Sequence, residues 1–409
     1  MRVVNARRLA ALLALSMMAL MLMPGFSTVA ALPGAIVMRA GGQIELPAGR
    51  LMRASLSGDA AALSPCGEGF QLTAGNRGQA RLTYSLLGML PVRTVSVSVE
   101  PEKRLIPGGQ SVGIAIDTEG VIVVGASDLG RTPSPARAAG IKTGDILQRV
   151  NGAAIESAEG LSEQINGGGP VTIDVLREGR TVSCQVAPAQ DPRDGRWRLG
   201  AWVRDSTAGV GTMTFIDPET GVYGALGHAI TDVDTGVTMP VGVGELYENS
   251  VMDVTPSAKG SPGELTGDFI FRPAVTGTVA VNSSRGIFGC VEAGENALYP
   301  EGLPAAKQGE IHPGAASLLT TVDGGGVKEY QCEIVRLNDR GGDGRNLVLR
   351  VTDPALIEKT GGIVQGMSGS PIIQDGHLIG AVTHVMVNDP AMGYGISIER
   401  MLEEAEKVG

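Results

Sequence analysis

The chain has 409 residues, of which 43% are hydrophobic and 19% charged, a balance that fits a globular protein and excludes a disordered one. The 60 glycines follow no Gly-X-Y period, which excludes collagen, and a net charge of −10 without a Lys/Arg run after the tenth residue gives no nucleic-acid footprint. Abundant Gly, Val, Ile and Thr with only 3% aromatic residues predict a mostly β protein of two or three domains.

Residues 1–32 have the pattern of a secretory signal. Arg2, Arg7 and Arg8 precede an apolar stretch at 9–23, and small residues follow it. As a helix this stretch is about 22 Å long, short of a hydrocarbon core of ~30 Å. We therefore expect a signal peptide or signal anchor, with everything after about residue 32 exported across the cytoplasmic membrane.

Residues 33–103 alternate short apolar runs with turn residues and predict a β-rich region, which ends in a period-two strand at 93–99. Nothing in this composition points to a function for the region.

Residues 104–190 carry a more definite pattern, with a short helix signal at 134–139, a strand at 144–150 and an Asn-Gly turn at 151–152. This pattern resembles a PDZ domain, which binds an extended peptide as an added strand between a sheet edge and a helix. The resemblance implies that peptide C-termini or internal segments are partners; a PDZ fold that only spaces or tethers is the alternative. It places the loop that holds the peptide carboxylate at Ser111, Val112, Gly113 and Ile114.

Residues 191–195 (Asp-Pro-Arg-Asp-Gly) are typical of a linker, and residues 196–409 predict a second β-rich unit. Strand patterns occur at 210–215, 347–351, 371–373 and 379–387, and a helix pattern at 398–407. A β-rich unit of this size with a short C-terminal helix suits a double barrel.

The segment Gly366-Met367-Ser368-Gly369-Ser370-Pro371 resembles the nucleophile loop of trypsin-like serine peptidases, Gly-x-Ser-Gly-Gly-Pro. Its glycines let two N–H groups, those of Gly366 and Ser368, face one developing oxyanion. The Gly-x-Ser-Gly register predicts Ser368 as the nucleophile, and Ser370, which replaces the second glycine, is a second candidate hydroxyl.

The chain has four histidines. His228 lies among small residues at 224–230, as in the base loop of the same peptidases, and is the predicted general base. His384, in a strand pattern, is the rival, whereas His312 and His377 lie in turn contexts and are expected to be solvated. Spacing alone does not rank the aspartates between His228 and Ser368 as the third member of a triad.

The order of exported segment, PDZ unit and peptidase unit resembles the stage IV sporulation protein B peptidases, as do the segments 104–114, 205–209, 361–371 and 389–395. The resemblance runs from about residue 85 to the C-terminus. It implies a catalytic triad of His228, Asp353 and Ser368, although Asp353 is unusually close to the serine. Read from its neighbours alone, Asp353 forms an Asp-Pro turn after the strand at 347–351.

The resemblance further implies a serine endopeptidase of sporulation signalling. It would enter the space between the two forespore membranes, anchored or released, cleave itself, and cleave a membrane-bound inhibitor, stage IV sporulation protein FA. That cleavage would release an intramembrane metalloprotease that processes pro-sigma-K.

Two other hypotheses stay open. One is a PDZ adaptor that docks partners through an inactive peptidase-like scaffold. The other is general quality-control proteolysis like that of the high-temperature-requirement peptidases, in which the peptidase unit precedes the PDZ unit, the reverse of the order here.

The cysteines Cys66, Cys184, Cys290 and Cys332 form no CxxC pair and no cluster with histidine, so neither a metal nor another cofactor is expected. Cys290 and Cys332 would pair in an oxidising compartment or stay reduced as small hydrophobes.

Overall fold

The computed structural model describes residues 26–47, 51–67, 69–268, 275–292, 296–338 and 345–408. The chain divides into two units, Met1–Lys103 and Arg104–Gly409. Most of the predicted signal segment lies outside the described residues, and the described part of it contains helix α1 (Phe26–Ala30). None of the helices in the described ranges has the length and apolar character needed to cross a membrane.

The first unit is a β structure of two sheets. Its strands are β1 (Ala35–Arg39), β2 (Gln43–Leu46), β3 (Met52–Ser57), β4 (Ala61–Cys66), β5 (Gly69–Ala74), β6 (Gly78–Leu86) and β7 (Leu90–Glu100). One sheet has the order β1-β7-β6-β3 and the other β2-β5-β4. Alternate residues of these strands, such as Leu72, Leu82 and Val97, form one apolar core, as the period of two requires.

The second unit contains the remaining elements. Its strands are β8 (Arg104–Pro107), β9 (Ser111–Ala126), β10 (Ile146–Val150), β11 (Ala153–Ala154), β12 (Val171–Arg177), β13 (Arg180–Val186), β14 (Ala189–Gln190), β15 (Trp197–Arg198), β16 (Ala201–Ile216), β17 (Val222–Ala225), β18 (Val241–Glu248), β19 (Ser250–Thr255), β20 (Glu264–Asp268), β21 (Val275–Ser283), β22 (Gly286–Val291), β23 (Leu303–Pro304), β24 (Gly314–Thr320), β25 (Lys328–Leu337), β26 (Leu347–Val351), β27 (Pro371–Gln374), β28 (His377–Met386) and β29 (Asp389–Ser397). Its helices are α2 (Pro135–Ala138), α3 (Ala158–Gln164), α4 (Pro354–Thr360) and α5 (Ile398–Ala405), with a 3₁₀ turn at Gln308–Glu310.

Two six-stranded barrels dominate this unit. The first has the order β9-β18-β21-β22-β17-β16, and β16 pairs back onto β9 to close it. The second is closed in the order β24-β25-β26-β29-β28-β27. Helix α5 packs across both barrels, against β17, β22 and β28. The predicted mostly β fold with a double barrel is confirmed.

A smaller sheet continues from the first barrel. The second half of β9 pairs with β10 on one side and with residues 201–204 of β16 on the other, and β12 and β13 extend the sheet beyond β10. Ser134 is the N-cap of helix α2, and its hydroxyl accepts from the Arg137 N–H at 3.2 Å. The predicted Asn151-Gly152 turn joins β10 to β11, with both residues at positive φ. This sheet with its two helices is the predicted PDZ domain.

The boundary between the PDZ and peptidase units differs from the one predicted. Because residues 111–118 of β9 belong to the first barrel, that barrel begins before the PDZ sheet, which is inserted between β9 and β16. The predicted linker at 191–195 is instead a tight loop between β14 and β15, in which the buried Asp191 carboxylate bonds to Arg193 and Arg198.

Candidate active site and peptide groove

Ser368 lies in a turn that is held by both barrels. It follows Gly366, at φ +96°, and precedes Gly369, at φ +99°. A Cβ on Gly369 would lie 1.9 Å from the Thr212 carbonyl oxygen, so only glycine fits beside the serine. The half-buried Ser368 hydroxyl donates to the Thr383 carbonyl oxygen at 2.7 Å.

The peptide planes of this loop are oriented through their carbonyl oxygens. The Gln365 oxygen accepts from the Leu265 N–H at 2.9 Å, and the Met367 oxygen accepts from the Ser370 N–H at 3.0 Å. Because N–H and C=O point in opposite directions in a trans peptide, these bonds turn the N–H groups of Gly366 and Ser368 away from those partners. Neither N–H donates to an acceptor in the described part of the chain, so both are free to bind an oxyanion.

His228 follows β17 on the first barrel. The residue before it, Gly227, packs tightly against Thr383, whose carbonyl holds the serine hydroxyl, so the base loop and the nucleophile loop share one neighbour. The His228 Nδ1 lies 2.9 Å from the Ala229 carbonyl oxygen. An Nδ1–H that donates to this oxygen leaves Nε2 unprotonated and able to accept a proton.

His384, on β28 of the second barrel, lies beside His228. The two ring centroids are 4.9 Å apart, with the ring planes at 40°. The His384 Nδ1 is buried and has no hydrogen-bond partner among the described residues. The structure therefore brings the two candidate bases together beside Thr383, to which the Ser368 hydroxyl is bonded.

The environment keeps both imidazoles uncharged near neutral pH. Burial lowers the pKa of His228 below its usual value, the positive charge of Arg345 lowers it further, and the hydrogen bond to Ala229 partly opposes them. Burial, His228 and Arg345 lower the pKa of His384 to about 4. The Arg345 guanidinium lies 5.5 Å from the ring centroid of Tyr394, which pairs with His384 across β28 and β29.

The structure does not bring Asp353 to His228, the contact that a triad of these residues requires. One carboxylate oxygen of Asp353 accepts from the N–H groups of Ala355 and Leu356, at 2.9 and 3.2 Å, as the N-cap of α4. The other accepts from the Gln331 N–H at 3.2 Å. Asp followed by Pro is a strong local signal for a helix start, and here it makes Asp353 the N-cap of α4. Within the described ranges no carboxylate is hydrogen-bonded or ion-paired to His228.

The other candidate side chains lie apart from this centre or are closed to substrate. The Ser370 hydroxyl is fully buried and has no partner among the described residues, so it cannot meet a substrate. His312 bonds to the Asp375 carboxylate at 2.8 Å and is exposed, whereas His377 bonds to the Asp375 carbonyl oxygen.

The predicted carboxylate loop of the PDZ unit is wrong. Ser111, Val112, Gly113 and Ile114 lie within β9 and pair on one side with β16 and on the other with β18. Their backbone groups are therefore committed to the barrel, and the segment is buried. Gly113 is not among the residues with positive φ.

The structure shows a groove elsewhere in the PDZ unit, between α3 and the first residues of β16. It has a volume of about 220 Å³ and is lined mainly by apolar side chains, including Leu129, Leu161 and Val203. At one end the carbonyl oxygens of Leu199 and Gly200 accept from the N–H groups of Ala136 and Ser127. The N–H groups of Leu199 and Gly200 have no acceptor in the part of the chain described, which suits capture of a carboxylate.

A turn ending in Leu199-Gly200 before the strand 201–204 is the sequence signal that could have located this groove.

All four cysteines are free thiols; Cys290 is exposed on the first barrel and Cys332 is buried in the second. Burial raises the pKa of Cys332 to about 12. No group of three or more His, Cys, Asp or Glu side chains in the described ranges is arranged to hold a metal ion.

Two barrels with a Gly-x-Ser-Gly loop on one and a histidine loop on the other, joined to a PDZ domain, define the class of trypsin-like serine peptidases with a PDZ domain. The model of one family of this class, SpoIVB peptidase S55, matches residues 195–402, half of the chain. The chain therefore belongs to the SpoIVB peptidase S55 family.

Curated relatives match a smaller part of this chain than the family model does. The "Probable periplasmic serine endoprotease DegP-like" proteins of Brucella suis biovar 1 (strain 1330) and Brucella abortus biovar 1 (strain 9-941) are each 28% identical over 149 residues. The match covers 34% of this chain and 27% of each relative, so the chain spans about a quarter of the length of these relatives.

Solved structures show weak overall similarity. The active form of the Rv3671c protease from M. tuberculosis is 16% identical, and the match covers 50% of this chain and 75% of that one with a TM-score of 0.30. The PDZ domain of the SdrC-like protein from Listeria monocytogenes is 20% identical over 21% of this chain and 90% of its own, with a TM-score of 0.19.

Proposed function

We propose that this protein is an exported serine endopeptidase in which Ser368 is the nucleophile and His228 the general base. The observation that carries the proposal is the meeting of the Ser368 loop, with two free N–H groups, and the His228 loop at Thr383. The membership of a serine peptidase family supports it.

The mechanism follows from the groups in place. The serine hydroxyl turns from the Thr383 carbonyl oxygen towards the unprotonated nitrogen of His228, which takes its proton as the oxygen attacks a peptide carbonyl. The same imidazole then protonates the leaving amine. The N–H groups of Gly366 and Ser368 stabilise the oxyanion, a contribution of about 3 kcal/mol per donor.

The Ala229 carbonyl takes the place that a carboxylate has in a Ser-His-Asp triad. It holds the imidazole tautomer, but as a neutral acceptor it stabilises an imidazolium less than a carboxylate does. We expect a slower enzyme than one with a complete triad, which suits limited cleavage of a few substrates.

The PDZ groove is proposed to bind a peptide from this protein or a partner and to gate cleavage. A peptide would add as a strand along residues 201–204, whose second edge is unpaired in the described sheet, with a terminal carboxylate at Leu199 and Gly200. The same strand, β16, continues into the first barrel, so groove and catalytic centre share one element.

We further propose that the substrates are those of the family resemblance. The protein would cleave itself and then stage IV sporulation protein FA in the space between the forespore membranes, and so start pro-sigma-K processing. The family match and the predicted export signal support this role. A Ser368→Ala chain that still permits pro-sigma-K processing in sporulating cells would contradict it.

A second candidate function, docking through the PDZ groove on an inactive scaffold, is favoured by two observations. The serine hydroxyl donates to a backbone oxygen rather than to histidine, and Asp353 is a helix cap. Labelling with a fluorophosphonate separates the two functions, because only an activated serine displaces its fluoride.

We expect mass spectrometry to find the adduct on Ser368, and both labelling and self-fragmentation to disappear in Ser368→Ala. Ser370→Ala is the matched control and should behave as wild type, since the Ser370 hydroxyl is buried. Fragmentation of Ser368→Ala at the wild-type rate would favour the docking function.

A further inference from the structure

Thr212 uses all its polar groups at the catalytic centre. Its hydroxyl donates to the Gly366 carbonyl oxygen at 2.7 Å, and its N–H donates to the Ser368 carbonyl oxygen at 2.8 Å. Its own carbonyl accepts at 3.2 Å from the N–H of Leu226, two residues before His228. One residue of β16 therefore bonds to both the nucleophile loop and the base loop.

These bonds cross from one barrel to the other. Thr212 and His228 belong to the first barrel, whereas Gly366 and Ser368 belong to the second. Thr212 is 1% exposed, so water does not compete for its hydrogen bonds. The distance between serine and histidine, on which proton transfer depends, is thus set partly through this residue.

A second threonine on the same strand face extends the contact. The Thr214 hydroxyl donates to the Gly369 carbonyl oxygen at 2.8 Å and is fully buried. The two hydroxyls bond to carbonyl groups on both sides of the serine, that of Gly366 before it and that of Gly369 after it. Thr214 has no bond to the base loop in the described structure, so its effect should be the smaller one.

We propose that Thr212 is a positioning residue, which fixes the Ser368 loop against the His228 loop. The inference rests on the proposed function. Removing the hydroxyl leaves the Gly366 carbonyl without its partner and frees the 366–367 peptide to rotate, which disturbs the neighbouring oxyanion donor. The backbone bonds of residue 212 survive a change of side chain.

The test is saturation kinetics with a fluorophosphonate on the full chain, which separates the affinity for the probe from the rate of covalent reaction. Thr212→Val, which keeps the shape of the side chain, should react at least about tenfold more slowly at saturation, with the affinity unchanged. Thr212→Ser, which keeps the hydroxyl, should restore the rate.

Thr320→Val is the matched control, because Thr320 is also a buried strand residue but its hydroxyl has no partner among the described residues. It should react as wild type. Equal rates for wild type and Thr212→Val, or a Thr212→Ser rate as low as that of Thr212→Val, would overturn the inference.

Two further results keep the outcomes distinct. Thermal melting shows whether each variant folds, and if Thr212→Val does not, Thr214→Val must still react more slowly than wild type for the inference to stand. A wild-type protein that never reacts would overturn the proposed peptidase itself, whereas a reactive wild type with an equally reactive Thr212→Val overturns only the positioning role.

Discussion

The rings of His228 and His384 face each other across the two barrels, with centroids 4.9 Å apart. Each ring comes from a different barrel, and the Ser368 hydroxyl is bonded to the residue just before His384. Because both imidazoles lie beside the residue that holds the Ser368 hydroxyl, the base has to be identified by chemistry rather than by position.

We predict that His228 is the base, because the Ala229 carbonyl fixes its tautomer, whereas the His384 Nδ1 has no such partner among the described residues. His228→Ala should slow fluorophosphonate labelling about a hundredfold to ten-thousandfold, and His384→Ala by less than about tenfold. Labelling rates of the two purified variants at pH 8 show which histidine is the general base. The reverse order would make His384 the base.

The acid limb of the pH–rate profile should move upward in Arg345→Gln. The positive charge of Arg345 lowers the pKa of His228, so its removal lets the imidazole bind a proton at higher pH. A protonated imidazole cannot accept the serine proton, so the variant loses activity at a pH where wild type is still active. Labelling rates from pH 4 to 8 at low ionic strength show the shift, which salt should reduce.

Arg350→Gln is the control for this charge effect, since Arg350 lies on β26 and faces Glu333 at 3.8 Å. Its profile should coincide with that of wild type. An unchanged acid limb in Arg345→Gln would mean that the charge is screened from the imidazole.

The sequence predicts what depends on neighbours along the chain. The pattern Leu-Val-Leu-Arg-Val predicts strand β26 at its observed bounds, and the Asn151-Gly152 turn needs only two residues of the right kind. Ser368 and His228 could be found because each lies in a loop whose small residues are themselves the signal.

What the sequence did not reveal depends on distant pairing. Ser111 bonds to the Gly211 carbonyl, 100 residues away, and nothing near residue 111 distinguishes a barrel strand from a peptide-binding loop. Thr212 is hidden for the same reason, because its role comes from strand register, whereas the groove is marked locally only by the Leu199-Gly200 turn. Asp353 shows the opposite case, where the local Asp-Pro signal gives the observed N-cap and the resemblance implies a different role.

Substitutions of Asp353 should change stability more than reactivity. Asn is as good an N-cap as Asp, so Asp353→Asn should label at close to the wild-type rate, whereas in a Ser-His-Asp triad the same change costs about 10⁴ in rate. Asp353→Ala should lower the free energy of unfolding by about 1 kcal/mol through loss of the cap. Urea unfolding and labelling of both variants test this, and a near-complete loss of labelling in a folded Asp353→Asn would restore the triad.

Peptide binding at the groove should be visible in the intrinsic fluorescence, because the only two tryptophans of the chain, Trp197 and Trp202, both line it. We expect a decapeptide with an apolar C-terminal residue and a free carboxylate to change the emission saturably. Its amidated form should bind more weakly, since the N–H groups of Leu199 and Gly200 prefer a charged acceptor.

Ser162→Glu, on the groove side of α3, should weaken peptide binding by charge repulsion, while Glu163→Ala, which does not line the groove, should not. Equal affinity for both peptide forms would show that the carboxylate is not recognised, and a labelling rate that stays constant through the titration would show that the groove binds without gating Ser368.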